Sequence, residues 1–554
     1  MGKDEQTTDA QVTKPKLSND SNLKTTVDDE LTKIGNGGPW VWKLFFLCVT
    51  PNILNGFHVS SYVFLGQPPK EHWCVISGLI NSNWSDSQMR TISSTNDGLG
   101  DGCKILDWDY PYLGSLNYND AVSYTKSHPR PEAISCLQNS NNKYHYVQEP
   151  GSSIVLEWDL ICEKSFWRTT VATAVSVGKF LGATTFGILS DKYGRRTCFI
   201  IGSIFYIAGS ILTTFSPWYW LFLIGRVLLG SSSSGLFYPA FSLLTENIGS
   251  KHRSWMSIAF SMSYPVGMIL LAVSANYIHA WRNLQLSLTI PAFLLVFYCY
   301  FLNESPRWLI SKGREAAAYR IVFNKKCDME FSEKLASKAK EAEQEAKDAD
   351  QNKSKMQRIF KELHALYGPS RLRRMALICH YTWCVTALSY YVTALNADNL
   401  AADRVVYVAA TGAVDFTSLI LSMTLLNFFG RKLSSCGLFA LSGFFLLSLI
   451  LIPRDNSNLI VFCAMAGRFG ITAVYSIVTL HTAEMFPTSI RNSALGTSST
   501  SSHVGSIMAP YVVDFLGRMA WYIPTTICGV LIVMAGLLCL THPETRAKDL
   551  KDQV

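Results

Sequence analysis

Charged residues are scarce in this 554-residue sequence: Asp, Glu, Lys and Arg make up 16% of it, whereas hydrophobic residues make up 48%. A soluble protein usually carries about 25% charged residues, and at this length it divides into several domains. The net charge of +8 is not concentrated in a basic face of the kind that nucleic-acid binding requires. The composition therefore argues against a soluble protein and against a nucleic-acid partner.

Enzyme motifs are also missing. The sequence contains no P-loop, no cluster of metal ligands and no nucleophile elbow. The run GSSSSG at 230–235 lacks the Lys-Ser/Thr pair that completes a Walker motif, and helix packing through small residues explains it more simply. We therefore expect no enzymatic activity, no metal ion and no cofactor.

Apolar residues, by contrast, gather in twelve runs of about 20 residues, each long enough to cross ~30 Å of hydrocarbon as a helix. Such continuous runs are helical, because the strands of a membrane barrel alternate between apolar and polar residues. The sequence predicts an all-α protein of the lipid bilayer. Its spans are expected at 41–65, 168–189, 198–215, 219–244, 255–278, 284–302, 375–395, 405–429, 433–452, 459–480, 494–515 and 519–540.

The distribution of charge predicts the orientation. Segment 303–374 holds 17 Lys and Arg against 11 Asp and Glu, whereas segment 67–163 holds 6 against 12. Because basic segments stay in the cytosol, we expect 303–374 inside and 67–163 outside. An even number of spans then places both termini in the cytosol, as tails over 1–40 and 542–554.

The outer segment 67–163 has features of an oxidising compartment. Its four cysteines predict two disulfides with three possible pairings. They are Cys74, Cys103, Cys136 and Cys162. Asn83 begins an Asn-Trp-Ser glycosylation sequon, and we expect it to be glycosylated.

The chain contains an internal repeat. SDKYGRR, GRVLLG and TENIGSKHR, which begin at 190, 225 and 245, recur in the same order as NFFGRK, GRFGIT and AEMFPTSIR. The matched residues lie 236, 242 and 238 positions apart. We therefore predict a six-helix bundle over 41–302 and a second over 375–541. The linker 303–374 is expected to be cytosolic, and its Ala-, Lys- and Glu-rich part at 327–361 helical.

Two such bundles face each other across a site at mid-membrane and expose it alternately. The charged loop motifs are expected to latch the cytosolic face, with Glu246 clamping Arg253 and Glu484 clamping Arg491. The alternative interpretation is that these loops carry only the excess of Lys and Arg that is usual on the cytosolic side, without a gating role. The predicted gating residues are Asp191, Arg195, Arg196, Glu246, Arg253, Glu484 and Arg491.

These motifs resemble those of the major facilitator superfamily. The matching patterns are D-x-x-G-R-R after span 2, R-x-x-x-G in span 4, ESPRWL at 304–309 and PET at 543–545. Sugar porters and the organic cation, anion and zwitterion transporters both share ESPRWL. The 97-residue outer segment and SIVLEWDLIC at 153–162 resemble the second group. The resemblance implies twelve membrane helices in two pseudo-symmetric bundles, and a small organic ion as substrate.

Within that family, NGFHVSSYVFL at 55–65 and GTSSTSSHVGSI at 496–507 look most like the carnitine and ergothioneine branch. The sequence departs from the family at His503. That branch and the anion transporters carry arginine there, whereas cation transporters carry aspartate. The departure leaves the charge of the substrate in doubt.

Four ionisable residues inside the predicted spans are functional candidates, because a charge in the bilayer is costly unless it faces a cavity or a partner. They are Arg226, Asp415, Arg468 and His503. By resemblance, Asp415 matches the acidic residue in the cavity of cation transporters, and Arg468 a buried arginine found across the family. A structural ion pair is the alternative for both. Arg226 is expected to be structural or gating.

Aromatic residues form the second group of candidates, since aromatic faces attract cations by about 1–2 kcal/mol each when desolvated. Trp383 and Tyr390 share one face of span 7 and resemble the family's aromatic cage. Phe237, Tyr264 and Tyr475 match other cavity positions by the same resemblance. Core packing is the alternative for each of them.

His503 itself has four interpretations. It is an imidazolium that binds a substrate carboxylate, a neutral hydrogen-bonding contact, a proton-coupling site, or a satisfied histidine between helices. Ser499 lies one turn earlier and is expected to bond to the ring. We expect a zwitterion with its ammonium near the aromatic residues and Asp415, and its carboxylate near His503 and Arg468.

The sequence thus favours a polyspecific plasma-membrane transporter of small organic cations or zwitterions that works by alternating access. An organic anion transporter and a receptor-like member that binds without transport are the alternatives. A sugar porter is disfavoured by the aromatic residues. Co-transport of sodium or a proton stays open.

Overall fold

The computed structural model describes residues 39–95, 102–138, 142–149, 151–248, 250–312, 314–323, 364–400, 402–487 and 490–545. The predicted linker helix at 327–361 lies outside the described residues. So do the predicted tails, apart from Pro39, Trp40 and residues 542–545.

Twelve helices correspond to the twelve apolar runs, and several extend beyond them by a turn. Most exceed the ~20 residues that a perpendicular crossing needs. α6 contains a short 3-10 turn at Ile290–Phe293. The helices are α1 Pro39–Ser60, α2 Ser165–Tyr193, α3 Arg195–Phe215, α4 Tyr219–Asn247, α5 Ser250–Tyr277, α6 Trp281–Phe301, α7 Ser370–Leu395, α8 Arg404–Phe428, α9 Arg431–Ser448, α10 Ser457–Met485, α11 Arg491–Tyr511 and α12 Ile523–Cys539.

Within the described residues, eight helices are long and apolar enough to cross a membrane by composition alone: α2 to α6 and α8 to α10. α12 is apolar but has 17 residues. α1, α7 and α11 carry more polar residues, such as the Ser/Thr-rich run at 497–502 in α11. These three helices all contribute to a central cavity described below, which explains why their sequences are less apolar.

Each half of the chain has its own apolar core. In the N-terminal half, α1 to α6, the core includes Phe199, Tyr206 and Phe260. In the C-terminal half, α7 to α12, it includes Tyr407 and Phe439. The halves meet where α2 packs against α11 and α5 against α8. Two separate cores joined along these helix pairs divide the membrane part into two six-helix bundles.

Small residues allow α2 and α4 to pack closely. A Cβ atom on Gly178 would lie 2.2 Å from the main-chain oxygen of Val227, and one on Gly182 would lie 2.3 Å from that of Ser231. Ser231 belongs to the GSSSSG run at 230–235. The start of the run is therefore a helix-packing surface, in agreement with the simpler explanation of its composition.

The segment between α1 and α2, residues 67–163, forms a small folded unit that we call the disulfide segment. It contains two antiparallel strand pairs, β1 His72–Val75 with β4 Lys143–Tyr146 and β2 Lys104–Leu106 with β3 Ala133–Ser135. Its helices are Asp86–Ser93, Tyr110–Gly114, Tyr118–Ser127 and Ile154–Glu157.

Two disulfides stabilise this segment, Cys74–Cys136 and Cys103–Cys162. The structure thus selects one of the three pairings that the sequence left open. The second bond ties β2 to the start of α2, so it attaches the segment to the membrane part. The sequon residue Asn83 is exposed, as a glycosylation site must be.

A further contact docks the disulfide segment on α6. Trp281 Nε1 donates to Glu157 Oε2 at 2.7 Å, and Arg282 forms an ion pair with the same carboxylate. Glu157 belongs to SIVLEWDLIC and the other two residues to WRNLQL. Two motifs far apart in the sequence therefore form one interface.

Candidate functional site

A cavity of about 310 Å³ lies between the two halves, within the range of small-molecule binding sites. Its wall is built from α1, α2, α4 and α5 of the N-terminal half and from α7, α8, α10 and α11 of the C-terminal half. Several predicted substrate-binding residues line it: Phe237, Tyr264, Tyr390, Asp415, Tyr475 and His503.

The remaining predicted residues, Trp383, Arg468 and Ser499, do not line this cavity. Trp383 is buried, its Nε1 donates to Thr482 Oγ1 at 3.0 Å, and its ring centroid lies 6.1 Å from that of Tyr475. Trp383 thus packs behind a cavity residue instead of facing a ligand.

Arg468 and Asp415 form a bidentate ion pair. Arg468 Nε donates to Asp415 Oδ1 at 3.0 Å and NH2 donates to Oδ2 at 2.7 Å, with the two side chains 0% and 1% exposed. The NH1 group donates to the main-chain oxygen of Tyr390 at 2.8 Å and to Thr393 Oγ1 at 3.1 Å. The pair joins α8 and α10 to α7, so the contacts of Arg468 in this structure are those of the alternative interpretation, a structural ion pair.

Two further hydrogen bonds complete the environment of Asp415. Thr472 Oγ1 donates to Oδ1 at 2.7 Å and Tyr390 Oη donates to Oδ2 at 3.0 Å. The guanidinium of Arg468 also lies 4.2 Å from the ring centroid of Tyr390. Each oxygen of Asp415 therefore already accepts two hydrogen bonds, and an adjacent cation compensates its charge. A substrate ammonium could pair with Asp415, as expected from the sequence, only after the ion pair between Asp415 and Arg468 has broken.

Lys179 of α2 also lines the cavity, and the sequence analysis missed it. Its Nζ donates to Tyr391 Oη at 3.3 Å, and the centroids of the Tyr264 and Tyr391 rings lie 5.9 and 5.7 Å from it. A signal was present in the sequence. Lys179 lies in the middle of the apolar run 168–189, where a charged residue is a functional candidate.

Other missed residues give the cavity a polar character without formal charge. They include two asparagines of α1, a tyrosine of α4 and hydroxyl residues of α4, α5 and α10. Their only sequence signal was polar side chains inside apolar runs. They are Asn52, Asn55, Ser233, Ser234, Tyr238, Ser261, Thr472 and Ser476.

His503 lines the cavity, and its Nε2 is buried with no hydrogen-bond partner among the described residues. Its ring centroid lies 6.0 Å from that of Phe180. This geometry favours a ligand contact over a satisfied histidine between helices. The expected bond from Ser499 is not found among the described residues either. An unpaired buried nitrogen beside a cavity is suited to a ligand contact, because it costs free energy until a partner arrives.

Arg226 is fully buried away from this cavity. Its NH1 donates to the main-chain oxygen of His58 at 3.1 Å and to Ser61 Oγ at 2.9 Å. These bonds join α4 to the end of α1. The expectation that Arg226 is structural or gating stays a prediction.

On the side of the disulfide segment, an ion pair joins the two halves. Arg168 NH2 lies 2.5 Å from Asp514 Oδ1, and Thr169 Oγ1 donates to Asp514 Oδ2 at 2.6 Å. Tyr62 Oη donates to the main-chain oxygen of Arg168 at 3.2 Å. We call Arg168, Thr169 and Asp514 the latch. It joins the start of α2 to the π-helical turn that follows α11.

At the opposite end, the charged loop motifs pair differently from the prediction. Glu246 pairs with Arg195 at 3.0 Å, and Glu484 pairs with Arg431 at 2.9 Å. In this structure Glu484 therefore does not clamp Arg491 as predicted, whereas the predicted clamp of Glu246 on Arg253 stays a prediction. The side chain of Arg253 lies outside the described residues. Each observed pair joins elements of the same half, because the turn after α2 or α8 brings its arginine beside α4 or α10.

Two glutamates missed by the sequence analysis complete these clusters. Glu304 Oε1 accepts from the main-chain nitrogens of Arg195 and Arg196, at 2.9 and 3.2 Å. Glu544 accepts in the same way from Arg431 and Lys432, both at 3.0 Å. Each carboxylate therefore caps the N-terminus of α3 or α9, where it also interacts favourably with the helix dipole.

The other predicted gating residues join the first cluster. Asp191 Oδ1 lies 2.9 Å from Arg195 NH1, and Arg196 NH2 donates to the main-chain oxygen of Cys299 at 3.0 Å. The two clusters occupy equivalent places in the two halves. The repeat in the sequence therefore corresponds to a repeat in the structure.

One group of metal-ligand type is brought together within the described residues: His72, Cys103 and Cys162. Its two sulfurs are joined in a disulfide. They are therefore not available as the thiolates that bind metal ions.

Two bundles of six membrane helices around a central polar cavity define a membrane transporter of the major facilitator type. Solved structures have this fold. The inward open conformation of the xylose transporter XylE from E. coli has a TM-score of 0.57 and 14% identity, covering 92% of this chain and 98% of that one. Its partially occluded inward open conformation has a TM-score of 0.56.

Sequence comparison specifies the family. The model described as Sugar (and other) transporter matches residues 119–553. The Organic cation transporter protein of Drosophila melanogaster is 31% identical and is covered over 93% of its length by 95% of this chain. For the Organic cation/carnitine transporter 2 of Rattus norvegicus, the identity is 30% with the same coverage. This chain belongs to the sugar (and other) transporter family, among the organic cation transporters, and is a multi-pass membrane transporter, not an enzyme.

Proposed function

We propose that this protein carries small organic ions with a quaternary or protonated ammonium across the plasma membrane by alternating access. Carnitine- and ergothioneine-like zwitterions are included among them. The observation that carries the proposal is the cavity between the halves, whose aromatic side chains come from α4, α5, α7 and α10. Aromatic faces bind ammonium groups without requiring a fixed negative charge.

The position of the latch supports the mechanism. The latch joins the halves on the side of the disulfide segment, while at the other end the ion pairs found among the described residues lie within one half or the other. Rocking of the bundles 41–302 and 375–541 against each other would break the latch and open the cavity to the opposite side. Residues 303–374 connect the bundles during this movement.

The proposed orientation places the disulfide segment outside the cell and both termini in the cytosol. Disulfides form in oxidising compartments, and the excess of Lys and Arg in 303–374 favours the cytosol. A tag at either terminus should then be reached by antibody only after permeabilisation. Asn83→Gln should also shift the protein to a lower apparent mass, as loss of a glycan would.

Uptake and binding measured on the same cells test the function. The probes are tritiated L-carnitine, glycine betaine and tetraethylammonium, in sodium-containing and sodium-free buffer. Saturable uptake of the zwitterions is the expected result. Binding without uptake would indicate a receptor. Transport of tetraethylammonium alone would contradict the proposal that the protein carries zwitterions. A sodium requirement would identify sodium as a co-transported ion.

A further inference from the structure

The charges around the cavity do not balance. Among the described residues, the lining side chains with a formal charge are Asp415 and Lys179, with histidine taken as neutral. Asp415 is neutralised by Arg468, which lies directly behind it. The positive charge of Lys179 is left over, so the site as a whole carries a charge of +1. A cavity for simple cations would be expected to carry the opposite sign.

No carboxylate of the described residues forms an ion pair with Lys179. Its ammonium is held by neutral groups, the hydroxyl of Tyr391 and the faces of Tyr264 and Tyr391. An ammonium has three N–H donors, and an anionic acceptor binds it about twice as strongly as a neutral one. Lys179 is therefore a cation whose strongest possible partner, a carboxylate, is absent from the described part of the chain.

The surrounding helix explains why Lys179 faces the cavity. The neighbouring Gly178 and Gly182 lie against the backbone of α4, and successive residues of a helix point about 100° apart. Lys179 therefore points to the side of that contact, where it lines the cavity. Its partner Tyr391 comes from α7 of the other half, so the ammonium crosses the interface between the halves. A structural lysine at a helix end would instead reach the lipid headgroups.

We propose that Lys179 is the anion-binding residue of the transport site and that the transported ion carries a carboxylate or a comparable anionic group. His503 lines the same cavity, and its unpaired Nε2 supplies a second polar contact to that end of the ligand. The ammonium of a zwitterion then lies among the remaining rings, including Tyr475 and Phe237. This inference rests on the proposed transport function and specifies the substrate class.

A matched pair of ligands tests the assignment. Glycine betaine and choline share a trimethylammonium group and differ in ending in a carboxylate or a hydroxyl. Binding to the full-length protein in nanodiscs is measured for both, and for benzoate, which has a carboxylate but no ammonium. The variants are Lys179→Gln, Lys179→Met and Lys179→Arg. The control Lys164→Gln removes an exposed lysine just before α2, outside the cavity.

Loss of a charge-assisted bond predicts that Lys179→Gln and Lys179→Met weaken betaine binding by about 10- to 100-fold. We expect choline binding to change by less than about threefold and Lys179→Arg to retain most of the betaine affinity. Lys164→Gln should behave as the wild type. Choline binding also reports whether each variant is folded.

The other outcomes distinguish a failure of the role of Lys179 from a failure of the proposed transport function. Equal changes for betaine and choline, or none for betaine, would overturn the role of Lys179 while leaving ammonium transport intact. Loss of all binding in both neutral variants would mean that Lys179 is structural and would also overturn it. If the wild type binds benzoate but neither ammonium compound, and Lys179→Gln abolishes this, the proposed function fails and the anion site stands. A wild type that binds none of the three would contradict both.

Discussion

Arg168 and Asp514 join the two halves of the transporter, although they lie 346 positions apart in the sequence. The guanidinium and the carboxylate are 2.5 Å apart, and their side chains are only 13% and 11% exposed. A partly buried pair of this kind is screened less by water and salt than a surface pair. It joins the two halves on the side of the disulfide segment.

Breaking the latch should therefore open that side. We expect Arg168→Gln or Asp514→Asn to shift the equilibrium between the conformation with the latch formed and the one open on that side. The expected shift towards the open conformation is about 1–2 kcal/mol, or about 5- to 30-fold. A cysteine introduced at the cavity residue Ser261 should react faster with a membrane-impermeant thiol reagent by this factor. The charge-swapped variant Arg168→Asp/Asp514→Arg is the control and should restore slow labelling. Unchanged labelling in all variants would show that the latch does not set the conformation.

The buried pair of Asp415 and Arg468 makes a prediction about stability. Removing one partner of a buried ion pair typically costs about 3–5 kcal/mol, because the other charge stays behind uncompensated. Asp415→Asn should therefore lower the melting temperature of the purified protein strongly. The double variant Asp415→Leu/Arg468→Met should lower it less. If Asp415→Asn melts like the wild type and only loses substrate affinity, Asp415 is a substrate contact instead.

His503 offers a way to change the charge of the site without touching Lys179. His503→Asp brings the charge from +1 to zero, and His503→Arg raises it to +2. We expect the aspartate variant to raise the ratio of choline to glycine betaine uptake, and the arginine variant to lower it. His503→Asn, which changes no formal charge, is the control. Identical ratios in all variants would place His503 outside the substrate contacts.

Gly194 links α2 and α3 with a φ of +103°, which residues with a side chain rarely adopt. A Cβ there would also lie 2.2 Å from Glu304 Oε2. Gly194→Ala should therefore destabilise the protein by about 1–3 kcal/mol. Gly187→Ala within α2 is the control, because a Cβ at that position meets nothing within 4 Å. Equal melting temperatures for the two variants would contradict the backbone argument.

Sequence patterns predicted the helices well because hydropathy is a property of each segment by itself. The number of apolar runs, the repeat and the loop motifs all correspond to features of the structure. The site was predicted less completely. Trp383, Arg468 and Ser499 were expected in the cavity and lie outside it, because helical periodicity places residues on a face without saying which neighbour that face meets. Lys179 was not predicted because it belongs to none of the motifs that resemble the family.

The amino-acid sequence alone determined that the chain is a twelve-helix membrane protein with two related halves, since burial in lipid selects for long apolar runs whatever surrounds them. Only the tertiary structure decided which charges cancel. Arg468 meets Asp415 because α8 and α10 pack side by side, Glu246 meets Arg195 because α3 starts beside α4, and Lys179 meets no carboxylate of the described chain. Electrostatic energy depends on distances between side chains that are remote in sequence. The net charge of the transport site is therefore defined only once the helices are assembled.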